Sequence, residues 1–251
     1  MSDTIDGGWR PPPGLRLHII RHGDPDYAND WLTPRGHAEA AALAHRADEL
    51  ALDRLFVSPM GRARATAAPL AQACGLDAVV ADWAGELRSP TVPDGDGGTA
   101  VFWNVSGRYV RAAGAQPWQS WSVFDGHAPA IEAEIERLVQ GSRGFLESLG
   151  YRRCDAGFER VSEEVEDLSV AIVCHGGLGV TWLADLLDIP IATAWTSLFL
   201  PVTSVSTVVF ETRQGGRVHV PRAVRIGDTS HLFAAGLGLN HAGLPGARQL
   251  D

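Results

Sequence analysis

Two histidines stand where an apolar run breaks into glycine. One closes Leu17-His18-Ile19-Ile20-Arg21-His22-Gly23, and the other closes Val170-Ala171-Ile172-Val173-Cys174-His175-Gly176-Gly177. Each run reads as a buried strand ending in a glycine turn. In an open α/β sheet, ligands bind in the crevice beyond the carboxyl ends of the strands, so His22 and His175 are expected to face one site. A neutral imidazole attacks phosphorus well, and a covalent phosphohistidine divides one hard displacement into two easier ones. The charge on the transferring oxygens needs fixed cations or donors. Arg21, Arg62 and the second histidine supply these without a metal. A departing alkoxide needs a proton, and Glu86, just past a strand end, is the best-placed acid, with Asp82, Asp94 and Asp96 as nearby substitutes.

The elements that must position these groups alternate along the chain. A strand over Leu15–Ile20 leads into a loop from Gly23 to Leu32, rich in Asp, Pro and Asn. Thr33-Pro34 then opens a helix, with Thr at the N-cap and Pro at the first helical position, reaching about Leu50. Leu55–Val57 is a short strand. Ser58-Pro59 repeats the cap signal and predicts a helix starting there, carrying Arg62 in its first turn and kinked or split by Pro69. Ala78–Trp83 reads as a strand. Gly, Pro and Trp dominate from Ser89 to Pro129, and so long a stretch is expected to be a functional excursion over one face. Helical periodicity returns over Ile131–Leu149, with Ile131, Ile135, Leu138 and Phe145 on one side. Ser169–Cys174 is a strand, and Leu178–Leu187 a helix following Gly176-Gly177. Ile189–Phe210 reads as buried loop plus strand. Ser204–Phe210 and Arg217–Ile226 form a late pair joined by a Gln214-Gly215-Gly216 turn.

This order predicts a three-layer α/β/α sandwich with a mostly parallel sheet and an antiparallel edge strand. The division is an N-terminal segment over 1–14, one domain over 15–235 with an inserted cap at about 89–129, and a loose tail over 236–251. At 251 residues, with 45% hydrophobic and 20% charged residues, the chain has enough apolar material for one large domain. The formal charge of −9 argues against nucleic acid and an anionic membrane surface as partners. Three widely spaced cysteines with no CxxC or Cys/His spacing support neither a disulfide framework nor a metal site. No signal-peptide pattern opens the chain, so a cytoplasmic setting and a small-molecule partner are expected. Homodimers are common among soluble enzymes, and no stripe in this sequence specifies one.

Four strings in this order, Arg21-His22-Gly23, Leu32-Thr33-Pro34-Arg35-Gly36, Val57-Ser58-Pro59-Met60-Gly61-Arg62-Ala63 and Cys174-His175-Gly176-Gly177, with Glu86 between the last two, resemble the histidine phosphatase superfamily. The likeness is to the branch containing phosphoglycerate mutase and fructose-2,6-bisphosphatase. It implies that His22 becomes phosphorylated, that Arg21, Arg62, Gly23 and Gly176 bind the phosphoryl group, and that His175 completes this pocket. Glu86 would give its proton to the leaving group and then act as base for water. The helix after Gly176-Gly177 would add backbone donors, and no cofactor is implied. The mutases carry Trp-Glu-Gly after their acid, whereas Glu86 is followed by Leu87-Arg88-Ser89-Pro90. The expected reaction is therefore hydrolysis of a small phosphomonoester. A phosphoglycerate-type mutase is the alternative, and a non-catalytic phosphate-binding member of the family the third reading.

Other residues have weaker claims. His231, in Asp228-Thr229-Ser230-His231, and Trp31 and Trp103 are placed behind the reacting groups or along the substrate. Trp103, Trp118 and Trp121 form either a substrate wall or the core of the cap. Cys174 reads as a small buried hydrophobe and His18 as a core residue, while His37, His45, His127, His219 and His241 read as surface residues.

Overall fold

The computed structural model describes residues 14–94, 97–114, 116–161, 167–212, 216–241 and 243–244. The segment over 1–13, Asp96, the Gln214-Gly215 turn and the far end of the tail lie outside these residues. The first half contains β1 (Leu15–Arg21), β2 (Pro25–Asp26), β3 (Trp31–Leu32), α1 (Pro34–Ala44), α2 (Ala47–Leu50), β4 (Arg54–Val57), α3 (Gly61–Cys74) and β5 (Ala78–Val80). After it come β6 (Thr91–Pro93), β7 (Thr99–Val101), α4 (Arg108–Ala113), α5 (Ala128–Ser148), β8 (Tyr151–Cys154), β9 (Gly157–Arg160) and β10 (Leu168–Cys174). The chain continues through α6 (Gly176–Leu186), α7 (Ile191–Ser197), β11 (Val205–Glu211), β12 (Val218–Asp228) and α8 (Ser230–Ala234).

Eight strands form one sheet in the order β5-β4-β10-β1-β11-β12-β9-β8. The first four are mutually parallel, and each later neighbour is antiparallel. Alternation along β10 builds the layers. Val170, Ile172 and Cys174 face one core with Phe145 of α5 and Leu178 of α6. Ala171 and Val173 face the other, with Leu43 of α1 and Leu70 of α3. The three-layer α/β architecture and its parallel core are as expected from the sequence.

Register places the site. Arg21 pairs with Cys174 across β1 and β10, so His22 and His175 leave the sheet at one level. Val57 pairs with Val173 and with Val80. Ser58 therefore emerges beside His175, and the chain after β5 runs toward Glu86 along the same edge.

Several expectations need correction. The antiparallel part is four strands, not one edge strand, because the unforeseen hairpin β8–β9 adds to β12. Its strands are short and half polar, so they lack a clear apolar alternation. The helix expected to reach Leu50 ends at Ala44, and α2 follows after a break. The strand beginning at Ala78 stops at Val80 and gives way to a 3-10 turn over Asp82–Ala84. Ser58 does not cap α3, whose N-cap is Met60. Pro69 does not split α3, which runs unbroken to Cys74. Gly176 and Gly177 belong to the first turn of α6 rather than preceding it. The presumed loop after Ile189 contains α7, with Ala192, Ala194 and Trp195 buried. His219 is buried, its Nδ1 3.2 Å from the Phe210 carbonyl oxygen. The described part of the tail is tied down, with Arg35 donating to Gly238 O at 2.7 Å and Asn240 to Asp24 at 2.7 Å. Thr33 does cap α1, accepting from Gly36 N at 3.0 Å.

Candidate active site

His22, Arg21, Arg62 and His175 meet at the C-terminal edge of the parallel strands, each no more than 6% exposed. The rings of His22 and His175 lie 5.1 Å apart, edge to face. His22 Nδ1 is 2.7 Å from the Gly23 carbonyl oxygen. A carbonyl only accepts, so Nδ1 carries the proton and Nε2 keeps its lone pair. Arg62 Nε donates to that Nε2 at 3.2 Å.

Arg62 is the hub. Its Nη2 lies 3.2 Å from His175 Nδ1, and its Nη1 is 2.5 Å from Asp30 Oδ1. The guanidinium only donates, so His175 Nδ1 accepts and Nε2 carries the proton, which it gives to Ser58 Oγ at 2.7 Å. His175 is fully buried against Arg62 and does not line the cavity. Burial and the neighbouring arginines hold both histidines well below the usual imidazole range, Arg21 weighing next on His22, and His22 and Arg62 on His175. These surroundings favour the neutral form of both rings, and a neutral imidazole is able to act as a nucleophile. Arg21 donates from Nη1 to Leu200 O at 2.6 Å, with its guanidinium 5.7 Å from the Phe199 ring centre.

Glu86 sits at the N-terminus of α6. Its Oε1 accepts from Leu178 N at 2.8 Å and Leu87 N at 2.9 Å, and its Oε2 from Gly177 N at 3.2 Å. Burial nevertheless raises its carboxyl, outweighing these donors and Arg21. The helix-end donors expected to serve a phosphoryl group are thus engaged by the carboxyl group. α5 fixes the loop on both sides. Arg137 donates to Trp83 O at 2.8 Å and Gly85 O at 3.3 Å, while Glu134 accepts from Arg88 N at 2.9 Å.

Arg21, His22, Arg62 and Glu86 open together onto a cavity of about 320 Å³, and Gly176 borders it beside Arg21. Gly23 does not face it. Its N–H donates to Thr66 Oγ1 at 2.9 Å, and a Cβ there would come within 2.8 Å of Gly36 O, so it serves close packing of α1. Trp103 forms a cavity wall, its indole so near Gly177 that a Cβ on Gly177 would lie 2.3 Å from the ring. Trp118 and Trp121 instead pack around Phe124, at 5.6 and 5.8 Å between ring centres. Trp31 stands outside the cavity, 48% exposed against His37, and Tyr27 takes the wall position near Arg62. His231 supports from behind. Its Nε2 is 3.1 Å from Thr203 Oγ1, and Thr203 N donates to His22 O at 3.1 Å. His18 is a core residue between Thr207 and Ser169.

Sequence reasoning missed Asp30, Ser58, Glu134 and Arg137. Asp30 lay in an acidic run that also holds Asp24 and Asp26, and nothing in that run marks which carboxylate reaches Arg62. Among the described residues, no group of three or more His, Cys, Asp or Glu side chains is placed to hold a metal ion, and no helix is long and apolar enough to cross a membrane.

Comparison with known proteins agrees with this geometry. The model of the histidine phosphatase superfamily, branch 1, matches residues 17–88 and 147–221. Probable phosphoglycerate mutase GpmB of Escherichia coli is 34% identical over 74 residues, which is 26% of this chain and 34% of the relative. The match thus spans about a third of the curated relatives' length. Among solved structures, a mycobacterial hydrolase shares the fold at a TM-score of 0.56 and 19% identity, covering 85% of this chain and 98% of that one. Phosphoserine phosphatase of Entamoeba histolytica does so at 0.56 and 20%, covering 87% and 99%. A mycobacterial glucosyl-3-phosphoglycerate phosphatase gives 0.54 and 22%, covering 84% and 97%. With its four motif strings at one sheet edge and more than half its length matched, the chain belongs to the histidine phosphatase superfamily, branch 1.

Proposed function

We propose that the protein is a metal-independent phosphatase that hydrolyses a small phosphomonoester through a phosphohistidine on His22. The observation that carries this reading is the fixed tautomer of His22. With Nδ1–H held by the Gly23 carbonyl, the lone pair stands on Nε2, where it accepts from Arg62 Nε at 3.2 Å beside Arg21 and across a cavity from a carboxyl group. Nε2 attacks phosphorus, the P–O ester bond breaks, and its electrons pass to the leaving oxygen. Glu86, whose carboxyl burial raises above its ordinary value, gives that oxygen its proton. Arg21 and Arg62 hold the charge on the non-bridging oxygens, with Arg62 turning from His22 to the phosphoryl group. In the second half, Glu86 takes a proton from water as the water oxygen attacks phosphorus. The N–P bond breaks, its electrons return to Nε2, and inorganic phosphate departs. Three unpaired thiols, Cys74, Cys154 and Cys174, suit a reducing cytoplasmic setting.

Incubation with 3-phosphoglycerate and a bisphosphoglycerate primer separates hydrolysis from mutase chemistry. Phosphate release without isomer supports the phosphatase reading. Isomer formation without phosphate release refutes it in favour of the mutase, and inactivity across a broad phosphoester panel refutes both.

A further inference from the structure

Beyond the reacting end, the cavity changes character. Arg21 and Arg62 are its only cationic lining residues among those described, and Arg62 is already paired with Asp30. All 21 basic residues of the chain are arginines, so no lysine reaches in. One phosphoryl group accounts for both cations, and no charge remains to balance a second anionic group on the substrate. Asn104, a polar side chain at the rim, already donates to Gly243 O at 3.1 Å.

Apart from Tyr27 beside Arg62, the rest of the wall is apolar. Val180 rises from α6, Trp195 from α7, and Leu198 and Leu200 from the segment after it. Val101 and Trp103 close the opposite side. They belong to residues 89–146, the stretch between the two parts matched by the family model. This side of the wall therefore lies outside the residues the family model matches. Trp103 adds one polar feature. Its Nε1 is buried and has no hydrogen-bond partner, although a buried indole N–H usually has one. The ring lies against Gly177, whose own N–H holds Glu86, so the indole covers the backbone that positions this carboxyl.

We infer that the substrate is the monophosphate ester of an uncharged, largely apolar alcohol, whose body lies against Val101, the Trp103 ring, Trp195 and Leu198. This rests on the phosphatase reading above and specifies its substrate class. A carboxylated or multiply phosphorylated substrate would bring an unpaired anion against Val101, Leu198 and Trp195, which is costly in a low-dielectric wall. An apolar body removes that wall from water, and a single methylene in such a pocket is worth about 10-fold or more in kcat/KM.

The test compares esters of primary alcohols with similar leaving groups: 3-phenylpropyl phosphate, phosphoserine, 3-phosphoglycerate and glucose 6-phosphate. The expected kcat/KM for the phenylpropyl ester exceeds the others by at least about tenfold. Trp103→Ala lowers it for that ester at least about fivefold more than for 3-phosphoglycerate, and Val101→Thr, which barely changes shape, shifts the ratio the same way. Equal or lower activity on the phenylpropyl ester overturns the inference while leaving the phosphatase reading intact. Binding of 3-phenylpropylphosphonate and phosphonoacetate, followed by calorimetry, separates the two claims. Tighter binding of the apolar phosphonate without turnover of any ester supports the apolar site and refutes the phosphatase. Tighter binding of phosphonoacetate overturns the apolar site whatever the turnover.

Discussion

Replacing Ser58 with alanine tests what holds His175. Ser58 and His175 are both fully buried, and Oγ lies 2.7 Å from Nε2. Without the hydroxyl, the His175 Nε2 proton has no acceptor. If the ring moves its proton to Nδ1 instead, that nitrogen meets the Arg62 Nη2 donor at 3.2 Å and the Arg62 contact is lost. An unsatisfied buried donor costs about 1–3 kcal/mol. A chain of this size loses about 2–4 °C of Tm per kcal/mol, so Ser58→Ala lowers Tm by roughly 2–12 °C. That magnitude alone is not decisive, since Ser58 Oγ also accepts from Met60 N at 3.3 Å, and losing that bond costs about 0.5–1.5 kcal/mol. The double-mutant cycle with His175→Ala is decisive. If Ser58 acts on His175, its removal costs little once the imidazole is gone, giving a coupling of about 1 kcal/mol or more. Chemical denaturation of the four proteins measures it. Additivity within about 0.5 kcal/mol would refute the anchoring role and return Ser58 to the helix start.

Arg62→Lys keeps the charge but cannot span His22, His175 and Asp30 together. It should lower kcat/KM about 10²-fold or more, and a loss under about threefold in steady-state phosphate release would contradict the hub role. Glu86→Gln removes the carboxyl that burial raises. The wild type should lose kcat/KM for alkyl esters as pH rises through that raised value and the acid form disappears. The variant should lack this limb and be slowest on poor leaving groups, whereas an unchanged profile would exclude Glu86 as the acid. Both histidines bind protons only well below the usual imidazole range, while the unfolded chain takes them up within it. Stability should therefore decline as pH falls through that range and below it, while kcat/KM gains no acid limb from an imidazole there. A Tm that rises on acidification, or an acid limb at the ordinary histidine value, would contradict buried neutral rings.

The parallel core and the two histidines could be read from the chain because each rests on a local pattern. An apolar run that stops at glycine marks a buried strand and its end, and Thr33-Pro34 marks a helix start. Ser58-Pro59 carries the same pattern and misleads, because the serine hydroxyl faces His175, which no local rule can see. Asp30 is one of three aspartates in a short loop, and its link to Arg62 depends on a turn with φ of +48° at Asp30. The wall formed by Val101 and Trp103 depends on how residues after Glu86 fold back onto α6, a matter of tertiary packing rather than of local pattern. The same holds for the tail, whose Gly243 lies against Arg21.

The account rests on a covalent phosphoryl group at His22 Nε2. Rapid quenching of the protein during turnover of a radiolabelled phosphomonoester, followed by peptide mapping, tests it directly. The prediction is an acid-labile, alkali-stable label on the peptide containing His22, attached at Nε2 and absent from His22→Ala, which also fails to turn over. Label on another residue, or undiminished turnover by His22→Ala, would contradict it.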